Sequence, residues 1–171
     1  MLSEKEKLKK LVLVFNELFS ESENTELVIG AKEPFYQAAR NNQKAMIFSR
    51  EDYFSSALHE IAHWCIAGKK RRELDDFGYW YEPEGRTLTQ QQVFEQVEVK
   101  PQALEWLFSI ACGHQFYFSA DNLSQSIDAS QSFKNAVTQQ LNHYLSEKSL
   151  PARARLLANS LAQAFNQQLF N

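Results

Sequence analysis

Histidine is scarce in this chain, and two of its four, His59 and His63, fall inside the string His59-Glu60-Ile61-Ala62-His63. On a helix, residues four apart share a face about 40° apart around the axis. Both imidazoles therefore reach one metal ion. Glu60 flanks the same face and is the candidate catalytic carboxylate, able to lean toward a metal-bound water. A chance match in a chain of this length is expected on the order of once in a hundred. The competing reading is a helix with two half-exposed histidines and an unrelated acid. The apolar flanks and mid-helix position weigh against it.

Two histidines need a third protein ligand, with positions left open for water or substrate. His114 follows a helix end and His143 sits in a polar helix, so both read as structural. Glu95 and Glu98 lie on a downstream helix with Gln102 at i, i+3 and i+7. Glu98 stands between Val97 and Val99, where a buried carboxylate wants a cation. Glu98 is thus the expected third ligand, with Glu95 and Gln102 supporting it from behind. The alternative is a solvated acidic face beside Lys100. Two His and one Glu serve two chemistries. With zinc they make a hydrolase in which Glu60 is the general base. With Fe(II) they make the two-histidine, one-carboxylate centre of non-haem oxygenases. The short motif alone favours a small zinc peptidase.

The elements that must position these groups follow from periodicity and caps. The metal helix is expected from Ser49 as N-cap to Gly68 as a left-handed C′ residue, with Glu51 and Asp52 in its first turn. Residues 3–20 form an amphipathic helix carrying Leu8, Leu11, Val12, Phe15, Leu18 and Phe19. Its apolar face is expected to cover a sheet or the metal helix. Glu26–Ala31 and Lys44–Phe48 read as strands, and Pro34 and Asn41-Asn42 mark the turn-rich segment between them. Thr89 is expected to cap the next helix. Pro101 inside it would cost about 3 kcal/mol, which predicts a kink or a fresh start. Residues 115–126 read as irregular. Further helices are expected at Ser130–Leu145 and Pro151–Leu169. The expected fold is α+β: a single, mostly helical domain over 1–171 with a small sheet packed on the metal helix, zincin-like in outline.

Composition narrows the classes. The net charge of −3 gives no argument for nucleic acid or a membrane surface as partner. No run of 18 apolar residues occurs, and the first residues lack the form of a signal peptide. The expectation is a cytoplasmic monomer. Cys65 and Cys112 fit no metal or redox spacing and are expected as buried thiols.

Longer strings add a resemblance. Residues 59–68, the segment Arg71-Arg72-Glu73-Leu74-Asp75-Asp76-Phe77-Gly78-Tyr79-Trp80-Tyr81, residues 83–86, and the run from Phe94 to Trp106 resemble the elongation factor P hydroxylase family of bacteria. The resemblance covers about residues 27–125 and ends near Asp121-Asn122-Leu123. It implies oxygen-dependent hydroxylation of the β-lysylated lysine of elongation factor P. The metal, iron with zinc or another divalent ion as substitute, would sit on His59, His63 and Glu98. Nothing in the chain reads as a 2-oxoglutarate pocket, a flavin fold or a Rossmann fingerprint, so no electron donor is implied. A long lysine-derived side chain needs a sheath for its methylenes and acids for its ammonium groups. Tyr79, Trp80 and Tyr81 are the candidates for the first, and Asp76 for the second. The alternative is that Asp75 and Asp76 neutralise Arg71 and Arg72 at i, i+4. The four cations Lys69–Arg72 either meet an acidic partner or complement the dipole of the metal helix.

Overall fold

The computed structural model describes residues 1–79, 85–119 and 129–170. Ser3 opens helix α1 (Glu4–Phe19) with a capping box, its hydroxyl accepting from the Glu6 amide while Glu6 reaches back. The buried stripe Leu8, Leu11, Phe15 and Phe19 faces inward. It serves both expected purposes: α1 packs on the sheet, and Phe15 and Phe19 pack on Trp64 of the metal helix at 5.2 and 4.9 Å.

The sheet has three strands, β1 (Thr25–Ala31), β2 (Phe35–Gln37) and β3 (Ala45–Arg50), in the order β1-β3-β2. β1 runs parallel to β3, with the register shifting between Val28 and Ala31. Gly30 sits at that irregularity with φ +92°, a conformation that side chains resist. β2 pairs antiparallel with β3 as the edge strand and was not anticipated from the sequence. Three residues after a proline are too short for alternation to register.

Helix α2 (Phe54–Ile66) carries the metal motif and packs on β3. It starts later than expected. Ser49 belongs to β3 and is fully buried, while Tyr53 holds the N-cap position without a side-chain bond. Strand pairing outcompeted the local capping signal. Gly68 is not a left-handed C′ residue either: it has φ −69° and begins the four-residue helix α3 (Lys69–Arg72). A tight turn with 3-10 character follows over Asp75–Gly78.

Helix α4 (Leu88–Ala111) spans 24 residues and runs through Pro101 without ending. Its cap is Thr87, not Thr89, in a reciprocal box with Gln90. The proline is tolerated because the helix is held on several sides, against α2, α5 (Gln131–Leu145) and α6 (Ala152–Ala164). Phe133, Val137 and Leu141 of α5 are buried as expected, joined by Tyr144. α6 ends at Ala164, short of the expected Leu169, and Leu156 faces out. The buried apolar residues form one core shared by all layers. The architecture is α+β and mostly helical, with a small sheet against α2. Among the described residues no helix is long and apolar enough to cross a membrane.

Candidate metal centre

The centre lies where α2 crosses α4. His59 and His63 project from α2, and Glu98 projects from α4 to meet them. One ligand atom from each lies within 4.8 Å of the others. The two Nε2 atoms stand 3.1 Å apart. Glu98 Oε2 lies 3.4 Å from His59 Nε2, and Oε1 lies 3.0 Å from His63 Nε2. Glu98 is 1% exposed, yet neither of its oxygens accepts a hydrogen bond. The ligand atoms of the three residues cluster closely enough to share one ion.

A buried carboxylate without donors is costly unless a cation meets it. The donor set of two imidazoles and a carboxylate, with those two orphaned oxygens, fits a divalent metal. Without the metal, an imidazolium takes the cation's place. Burial works against a charged His59, but Glu98 and Glu105 outweigh it and push His59 up to about 10. Burial likewise opposes a charged Glu98, and the two histidines overcome it, pulling Glu98 down to about 2.

Glu105 is the residue that sequence reasoning missed. Its Oε2 lies 2.7 Å from His59 Nδ1, so the Nδ1–H donates to it and Nε2 keeps its lone pair for the metal. Burial pushes the Glu105 carboxyl upward, which the His59 contact opposes. The signal was available: Glu105 is a lone acid in an apolar run, seven residues from Glu98 and hence about 20° from it around the helix. Gln102, expected beside the ligands, is there. Its Nε2 lies 3.4 Å from His59 Nδ1, and it also bonds Ser119. Glu95 is not there. Its two oxygens accept from the Ser130 amide at 3.0 Å and the Ser130 hydroxyl at 2.7 Å, which ties α4 to the start of α5. A step of three residues turned it about 60° away from Glu98.

Glu60 makes no hydrogen bond among the described residues. Burial raises its carboxyl, the two histidines oppose the rise, and Glu98 and Asp76 add to it. His63 is steadied by Phe77, whose ring lies parallel to it at 6.5 Å and stacks on Tyr36 at 4.3 Å. Phe77 and Asp76 both have positive φ, 58° and 48°, a strained state for such residues. The turn is held in place by the edge of the sheet. Asp76 Oδ1 accepts from the Tyr36 amide at 2.8 Å, and Asp75 accepts from the Ala38 amide and pairs with Arg40. The expected pairing of these acids with Arg71 and Arg72 does not form. Arg71 donates to the Phe77 carbonyl and lies over the Tyr79 ring, while Arg72 pairs with Glu23. Asp76 therefore has one oxygen committed to the sheet. Tyr79 is 40% exposed beside the centre, and Trp80 and Tyr81 lie outside the described residues. His114 is structural, 2.9 Å from the Ser55 hydroxyl and edge-on to Phe54.

Comparison with known proteins gives two findings. A family model described as elongation factor P hydroxylase matches residues 14–171. A protein of Haemophilus influenzae named elongation factor P lysine hydroxylase is 48% identical over 164 residues, which is 95% of this chain and 91% of the relative.

Proposed function

The chain belongs to the elongation factor P hydroxylase family, and from that premise we propose that it hydroxylates the β-lysylated lysine of elongation factor P with molecular oxygen. The observation that carries the reading is the convergence of His59, His63 and Glu98, with both Glu98 oxygens buried and unbonded. Iron(II) held by these three would supply the oxygen chemistry that an unactivated C–H bond demands.

The chain's own residues do the rest. Glu105 fixes the His59 ring from behind, so its Nε2 faces the centre, and Gln102 lies beside it. Phe77 restrains the plane of the His63 ring. Glu60 is the free carboxylate beside the ligands. Its raised affinity for protons suits it to take up or release one at its carboxylate oxygen. Glu60 and the uncommitted oxygen of Asp76 are the acids that would meet the substrate's ammonium groups. Tyr79, with Trp80 and Tyr81, would sheathe the methylene stem. We place the reaction in the cytoplasm and the enzyme as a monomer.

A zinc peptidase remains the alternative that the H-E-x-x-H string and the raised Glu60 would suit. Family membership supports the hydroxylase. The deciding experiment incubates β-lysylated elongation factor P with the enzyme, Fe(II), oxygen and a reductant. Mass spectrometry is expected to show a gain of about 16 Da on the modified lysine, one oxygen atom. Asp76→Asn is expected to lower that product while metal content stays intact. Metal-dependent cleavage of unstructured peptides, with no mass gain on the factor, would overturn the reading in favour of the peptidase.

A further inference from the structure

His63 also borders a cavity of about 350 Å³, lined among others by Ile66, Arg71, Tyr79, Val97 and Lys100. Among the described residues no carboxylate lines it. A second cavity of about 280 Å³ shares Ile66 and Lys100 and is bordered by Gln140 and His143, with no carboxylate in its lining among the described residues. Two cations on separate elements, α3 and α4, thus face a hollow with a metal-site histidine in its wall.

Among the described residues neither cation meets a carboxylate. Arg71 has one donor on the Phe77 carbonyl at 3.0 Å, and its guanidinium lies 4.1 Å over the Tyr79 ring. Stacking and that single bond fix the plane of the fork while leaving its other N–H groups for a ligand. Lys100 has no hydrogen bond or ion pair among the described residues. Ile66 and Val97 supply apolar wall between them. A guanidinium stacked on Tyr79, a lysine ammonium and an aliphatic wall suit a planar anion on a short carbon skeleton.

We propose that this cavity is a binding site for a small organic carboxylate, seated on Arg71 and Lys100 beside His63. The inference concerns anion binding alone and stands or falls apart from the hydroxylation reading. The test is calorimetric titration of the purified chain with succinate at low ionic strength, after EDTA has removed metal, with inorganic phosphate as a parallel probe. Wild type is expected to bind succinate and to hold phosphate more weakly. Lys100→Gln and Arg71→Gln are each expected to weaken succinate at least tenfold. Lys5→Gln, on an exposed turn of α1, should change nothing. Circular dichroism checks that Arg71→Gln keeps its fold. Lys100→Gln, on a different helix, gives an independent answer if it does not. Absence of succinate binding to wild type overturns the proposal. So does unchanged affinity in Lys100→Gln, or phosphate bound as tightly as succinate, which would mark a non-selective cationic patch.

Discussion

Glu95 and Glu98 sit three residues apart on one helix, both buried, and they do opposite things. In the seam between α4 and α5, Glu95 accepts two hydrogen bonds from Ser130. In the seam between α4 and α2, Glu98 accepts none among the described residues, although two imidazole nitrogens stand within 3.4 Å. Burial of a carboxylate does not by itself mark a ligand. The mark is burial with no donor, because that arrangement is stable only when a cation balances the charge. The first seam is a cap and the second is the candidate metal centre.

The sharpest way to break this comparison is to remove each acid in turn and weigh the metal. Glu98→Ala is expected to lower metal affinity more than about a hundredfold, beyond what loss of a supporting residue costs. Titration with a chromophoric chelator reads it, and a variant that binds as the parent does would end the assignment. Glu105→Gln should weaken binding about 10–100-fold by loosening the His59 ring, with the fold retained. Equal affinity would show that His59 needs no orienting acid.

Glu95→Ala is expected to keep its metal and lose about 1–3 kcal/mol of stability, since two charge-assisted bonds go at once. Thermal unfolding together with elemental analysis separates the two outcomes. If Glu95→Ala shed metal as Glu98→Ala does, the two seams would not be distinct.

Acidity sharpens the same contrast. In the metal-free protein His59 is raised from 6.5 to about 10. Its contribution to stability is therefore full below about pH 6.5 and is lost as pH rises through about 10. Glu98 is lowered from 4.5 to about 2, so its contribution is present above about 4.5 and is lost as pH falls through about 2. The stripped protein should be most stable between those limits and should release about one proton on binding metal at pH 8. Calorimetry in two buffers of different ionisation enthalpy measures that proton. The smallest effect concerns the thiols. Burial pushes Cys65 and Cys112 up to about 12. Both should resist iodoacetamide at pH 8 until the chain is denatured.

Local signals alone determined much of this protein. Spacing put His59 and His63 on one face, the flanking valines marked Glu98 as buried, and apolar stripes gave α1, α5 and the body of α4. These depend on residues a few positions apart, and a helix converts such spacing directly into geometry. Tertiary structure decided what depends on partners distant in sequence. Ser49 had the chemistry of a cap and became a strand residue, because pairing with β1 satisfies more backbone than one cap does. Asp75 and Asp76 could have paired with Arg71 and Arg72, yet the edge of the sheet at Tyr36 and Ala38 takes Asp75 and one oxygen of Asp76, since its outward N–H groups have no neighbouring strand. Glu95 was expected to support Glu98 beside the ligands until α5 supplied Ser130 to it, while α2 supplied two imidazoles to Glu98. Which donors reach a buried acid is set by the packing of helices that the chain joins only after folding.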